Sequence, residues 1–170
     1  MVLPGATLIH ASAIGLAVDR DGPLAGVLIL GPSGAGKTSL ALSAIETCPF
    51  RRTILVADDQ VAVGPGGEAA APESLRGQIE VRGFGPARVP AARSARLVIG
   101  VDLGEEAARI PAPGRRALAD GISLTVFPFR WAGAEATAAH RLRIMVRQVL
   151  CGQIGEDPQD ARPWRGEKPA

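Results

Sequence analysis

Lys37 and Thr38 close the run Gly31-Pro32-Ser33-Gly34-Ala35-Gly36-Lys37-Thr38, a spacing suited to holding a polyphosphate. Glycines let successive backbone N–H groups turn inward around an anion. The apolar run Gly26 to Leu30 precedes the loop, and Leu40, Ala41, Ala44 and Ile45 follow at helical spacing. The loop therefore sits between a buried strand and a helix whose N-terminus adds the positive end of its dipole. In this pattern Lys37 pairs with the β- and γ-phosphates, and the Thr38 hydroxyl is a magnesium ligand. The predicted nucleotide-binding set is Gly31, Pro32, Ser33, Gly34, Ala35, Gly36, Lys37, Thr38 and Ser39. A nucleoside triphosphate such as ATP, with Mg2+, is the ligand this chemistry implies.

Asp58 and Asp59 end the next apolar run, Thr53 to Ala57. In loop-type nucleotide hydrolases and kinases a carboxylate at that place holds magnesium. Two adjacent acids permit a division of labour, one on the metal and one accepting a proton from an attacking hydroxyl. His10 lies in a mostly apolar stretch, where a histidine is more often a core residue than a functional one. Glu80 and Arg82 alternate with Ile79 and Val81 and so share one face of a strand. The turn Arg82-Gly83-Phe84-Gly85-Pro86 that follows calls for unusual backbone angles.

The rest of the chain must position these groups. It has 170 residues, 46% hydrophobic and 21% charged, which is enough for one core. Aromatic residues are only 4%, so stacking platforms for nucleic acid are not expected, and a net charge of +2 does not favour bulk nucleic-acid binding. Cys48 and Cys151 form neither a disulfide framework nor a zinc motif, so a reduced, cytoplasmic protein is expected. No apolar run approaches the ~20 residues of a membrane span. The expected strands are one or two short pieces within Thr7 to Val18, then Gly26 to Leu30, Thr53 to Ala57 (with Val61 and Val63 continuing it), Gln78 to Val81, Leu97 to Leu103 and Ile122 to Phe127. Helices are expected over Thr38 to Thr47, stopped by Pro49, and over His140 to Leu150. Gly64 to Ser74 and Arg109 to Arg116 are expected to be loops, and residues 155–170 a disordered tail after a single catalytic domain over 1–154. The last helix carries an apolar stripe of Leu142, Met145, Val146, Val149 and Leu150. Arg141, Arg143 and Arg147 line the remainder, either as a solvated basic face or as a dock for an acidic partner. Strands outnumber helices, so the fold class is α/β with a mixed sheet and few helices.

Ile9-His10-Ala11, the loop Gly31–Thr38, Leu55-Val56-Ala57-Asp58-Asp59-Gln60-Val61 and Ile79-Glu80-Val81-Arg82-Gly83-Phe84-Gly85 occur in this order. Together they resemble the catalytic domain of HPr kinase/phosphorylase, over roughly residues 7–103, in the short form found in alphaproteobacteria. The resemblance implies a P-loop kinase domain of the HPr kinase and phosphoenolpyruvate carboxykinase type. It implies an ATP- and magnesium-dependent protein-serine kinase acting on an HPr-like phosphocarrier, and a homo-oligomer, hexameric in the family. By the same resemblance Asp58 is the general base, Asp59 assists near the metal, and Glu80 is a second metal-side carboxylate. His10 lies near the phosphates, and Arg82, Gly83 and Gly85 belong to the signature. The chain departs from the pattern at three places: Pro32 replaces an acidic residue, the glycine-rich segment is shortened to Val89–Arg93, and no Gly-Arg-Asn turn stands around Trp131–Thr137. The shortened segment and the absent turn fall where the family handles its partner protein and the reverse phosphorolysis. A small-molecule kinase on the same fold, and a nucleotide-sensing regulator without turnover, are the alternative expectations.

Overall fold

The computed structural model describes residues 5–104, 109, 112–119 and 121–152. In chain order the strands are β1 (Thr7–His10), β2 (Ser12–Leu16), β3 (Ala25–Leu30), β4 (Ile54–Ala57), β5 (Gln60–Val63), β6 (Glu68–Ala70), β7 (Gln78–Val81), β8 (Gly85–Arg88), β9 (Ala95–Asp102), β10 (Gly114–Ala119) and β11 (Ile122–Pro128). Helix α1 (Lys37–Glu46) follows β3, and α2 (Glu135–Leu150) follows β11. Strands β1-β5-β6-β9-β3-β2-β4 lie side by side in a nine-stranded sheet. β9 is long enough to pair β6 antiparallel near its start and β11 parallel near its end. On its other edge it runs parallel to β3. β7 and β8 form a separate hairpin.

β3 explains why the centre of the sheet reads as an unbroken apolar run. All six of its residues are buried. Val27 and Ile29 face a core shared with Leu40, Ala41 and Ala44 of α1 and with Leu142 and Val146 of α2. Leu28 and Leu30 face the opposite core, with Val56, Val61, Leu97 and Leu124. A strand buried on both faces has no polar side to show, so period 2 is invisible in its sequence.

The structure corrects several expectations. Gly64 to Ser74 is not wholly a loop: β6 lies inside it, with Ala69 fully buried. Its small residues carry little strand propensity, and tertiary pairing decides the matter. The stretch Arg109 to Arg116 likewise gives way to β10, whose Arg115 and Arg116 disguised an edge strand. Val61 and Val63 do not extend β4; they belong to β5, which pairs β1 and β6. The helix expected from His140 starts five residues earlier, at Glu135. Alanines 136, 138 and 139 favour helix intrinsically, and the Glu135 carboxylate suits its first turn. The tail, residues 155–170, lies outside the described residues.

The arginines of α2 are corrected as well. Arg143 is buried at 4% exposure. Its Nε donates to the Ala17 carbonyl at 3.1 Å and its NH2 to the Ala44 carbonyl at 3.2 Å. Arg147 donates to the Val18 carbonyl at 2.7 Å. Arg141 donates to the Arg130 carbonyl at 2.5 Å and lies over the Phe129 ring. They form neither a solvated face nor a free docking face. Ala44 is in the last turn of α1, where carbonyls lack helical partners, so Arg143 caps one helix from another. Arg143→Met strands two buried carbonyls and is expected to cost about 2–5 kcal/mol, lowering Tm by about 4–20 °C. Thermal unfolding followed by circular dichroism checks this; an unchanged Tm refutes the capping role.

Candidate functional site

α1 begins at Lys37 with Gly36 as its cap, at φ 97°. No side chain caps this N-terminus, and its first turn holds no acid. The free N–H groups and the uncompensated dipole are thus left for an anion from outside the chain. Gly36 is required twice over: its φ is left-handed, and a Cβ there would come 2.3 Å from the Trp131 indole Nε1.

Lys37 is 7% exposed. Its Nζ donates to the Gly31 and Pro32 carbonyls, each at 2.9 Å, and lies 3.1 Å from His10 Nε2. An ammonium has donors only, so Nε2 accepts and Nδ1 carries the proton. That Nδ1–H faces both the Asp59 carboxylate Oδ1 and the Asp59 carbonyl, each at 3.1 Å. The antiparallel pairing of β1 with β5, which sets His10 opposite Gln60, brings this histidine to the carboxylates. His10 is therefore not a core histidine; its side chain is 53% exposed at the mouth of the site.

Asp58 and Asp59 lie in different surroundings. The Asp58 carboxylate is buried. Its Oδ1 accepts from the Ser12 hydroxyl at 2.5 Å, and the Thr38 hydroxyl lies 3.0 and 3.1 Å from its two oxygens. Oδ2 also receives the Glu80 N–H at 3.4 Å. Asp59 takes φ 68°, and the Gln60 N–H donates across it to the Asp58 carbonyl at 2.8 Å, closing a γ-turn. This strained turn aims adjacent side chains apart, and the Asp59 side chain stands 69% exposed.

A cleft of about 390 Å³ gathers the predicted groups. Ser33, Gly34, Gly36, Lys37, Thr38 and Ser39 form one wall; His10, Ser12, Asp59, Glu80, Val81, Arg82, Gly83 and Gly85 form the rest. Gly31, Pro32 and Ala35 shape the loop from behind and do not line the cleft. Gly83 and Gly85, at φ 82° and 117°, supply the unusual angles expected of the β7–β8 turn. Among the described residues no three His, Cys, Asp or Glu side chains cluster as a metal cage. Glu80 lines the cleft with Asp59, and its backbone N–H faces the Asp58 carboxylate. Ser12 and Trp131 are site residues that the sequence did not single out. A hydroxyl two positions beyond His10 was the available signal for the first; the second is set by a loop contact with no sequence mark.

No family model matches the chain, and no curated protein matches it in sequence. Among solved structures, the HPr(Ser) kinase/phosphatase from Coxiella burnetii is similar at TM-score 0.67 and 19% identity, over 83% of this chain and 88% of that one. The likeness bears out the expected fold, an α/β domain of the HPr kinase type with a mixed sheet and two helices among the described residues.

Proposed function

We propose that this protein is an ATP- and magnesium-dependent phosphotransferase that phosphorylates a serine of an HPr-like phosphocarrier. The observation that carries the reading is the arrangement of Lys37, His10 and Asp59 around a cleft lined by the glycine loop. The fold neighbour, described as an HPr(Ser) kinase/phosphatase, points to the same acceptor. A protein acceptor is further supported by Phe84, 80% exposed at the tip of the β7–β8 hairpin beside the cleft. An apolar ring there suits a macromolecular surface better than a metabolite.

The residues fit magnesium. A hydroxyl (Thr38) faces a carboxylate (Asp58) at the start of α1, a hard-oxygen set. Magnesium bound there supplies charge neutralisation on the triphosphate. The chain's own groups do the rest. Lys37 leaves the loop carbonyls for the phosphates, and the α1 N–H groups hold their oxygens. The serine oxygen forms its bond to the γ-phosphorus as the β–γ bridging bond breaks, releasing ADP. The serine proton passes to Asp59, which His10 Nδ1–H orients. Asp58 keeps Thr38 in place on the metal side.

Incubating the protein with labelled ATP, magnesium and either HPr or a metabolite panel tests the reading, with phosphorylated residues mapped by mass spectrometry. Phosphoserine on HPr is expected. Label on a metabolite alone makes it a small-molecule kinase, and tight ATP binding with no transfer makes it a sensor.

A further inference from the structure

Asp102 is a buried carboxylate that the transfer leaves unused. It ends β9 and is the register partner of Leu30, the last residue before the glycine loop. Its Oδ2 lies 2.7 Å from Arg116 NH2 of β10, with side chains 7% and 39% exposed respectively. Its Oδ1 accepts the Gly104 N–H at 2.8 Å. Its carbonyl accepts the Phe129 N–H at 2.8 Å, and Leu103 donates back to the Leu30 carbonyl at 2.9 Å.

These bonds lead to both ends of the phosphate loop. Gly104 is pressed against the loop's start: a Cβ on it would come 2.5 Å from Pro32 Cδ, and one on Gly31 would come 3.3 Å from the Gly104 nitrogen. Phe129 lies two residues before Trp131, whose indole closes on Gly36 at the loop's other end. One carboxylate thus fixes the turn that supports Pro32 and the segment that supports Gly36. Its short Asp-to-backbone bond sets the direction of the 102–104 turn. Arg116 supplies the counter-charge that a buried carboxylate needs.

We propose that Asp102 and Arg116 are a positioning pair for the phosphate loop, holding it in the shape that receives a triphosphate. The proposal rests on Gly31–Thr38 being a triphosphate site and is independent of the acceptor. Neither side chain lines the cleft, so the pair acts through Gly104 and Trp131. Pro32 then has a role of its own: its ring is the surface on which Gly104 bears.

The test uses the full chain, with Kd for magnesium–ATP from calorimetry and Tm measured alongside. Gly104 is exposed, so Gly104→Ala leaves the core intact while its methyl drives into the Pro32 ring. Its ATP affinity is expected to fall about tenfold or more, the equivalent of one charge-assisted contact, with little change in Tm. Adding Pro32→Ala removes the obstructing Cδ and is expected to restore most of the affinity, a rescue that a merely structural role does not give. Arg116→Gln is expected to raise Kd in the same way, and Arg116→Lys to recover part of it. Variants that lose Tm but keep the parent's Kd overturn the proposal. A parent chain that binds no triphosphate overturns it too, together with the reading of the loop, and is distinguished by the parent's own titration.

Discussion

Lys37→Ala is expected to lower triphosphate affinity about 10²–10⁴-fold and to bring phosphoryl transfer below detection, with the fold intact. A hydrogen bond to a charged group contributes about 1.5–3 kcal/mol, and the ammonium is placed to give two to the β- and γ-phosphates. About 1.4 kcal/mol is tenfold in affinity, which sets the range. The fold survives because Lys37 donates only to the loop's own carbonyls of Gly31 and Pro32 and to His10. His10 lines the cleft, Pro32 is exposed and Gly31 is half-buried, so these groups can turn to water. Arginine is no substitute, since its planar fork demands more room and different angles than a point ammonium. Equilibrium binding of labelled ATP, with far-UV circular dichroism as the control for folding, checks the prediction. Parental affinity in Lys37→Ala removes the basis for reading Gly31–Thr38 as a phosphate site.

How far this site could be read from sequence follows from where its information lies. The glycine loop, the Asp58-Asp59 pair and the β7 run are local patterns whose spacing fixes their geometry; the structure brings Asp59, the loop and β7 to one cleft, with Asp58 buried behind it on the Ser12 and Thr38 hydroxyls. His10 was equivocal because its partners, Lys37 and Asp59, lie 27 and 49 residues away. Nothing beside it in the chain announces them. Arg143 misled for a related reason: helical periodicity placed it off the apolar stripe, but α2 packs on α1 so that the carbonyls of Ala44 and of Ala17, just past β2, take its guanidinium. Long basic side chains can be buried wherever their fork finds carbonyls. The strands missed, β6, β8 and β10, are rich in glycine, alanine and arginine, and only their neighbours define them. Asp102 closes an ordinary apolar strand; its role lies in contacts with Gly104 and Arg116.

The two aspartates are expected to separate in the second large effect. Asp59→Asn should cut phosphoryl transfer about 10²–10⁴-fold, the usual contribution of a general base, while ATP affinity keeps its magnesium dependence. Asparagine tolerates the left-handed φ that this position demands, so the turn and His10 remain placed. Asp58→Asn should instead abolish the magnesium dependence of ATP binding, with affinity equal in the presence and absence of the ion. Asp58 is enclosed by the Ser12 and Thr38 hydroxyls and the Glu80 N–H. An amide nitrogen in place of Oδ2 sets a donor against the Glu80 N–H, and in either orientation the amide removes the charge that faces the metal side. Single-turnover transfer to HPr and ATP titrations with and without magnesium measure both quantities on both variants. The opposite pattern, with Asp58→Asn slow but fully magnesium-responsive, returns the base to Asp58 as the family resemblance implies. It would also mean that the strained turn at Asp59 serves the metal, not the acceptor.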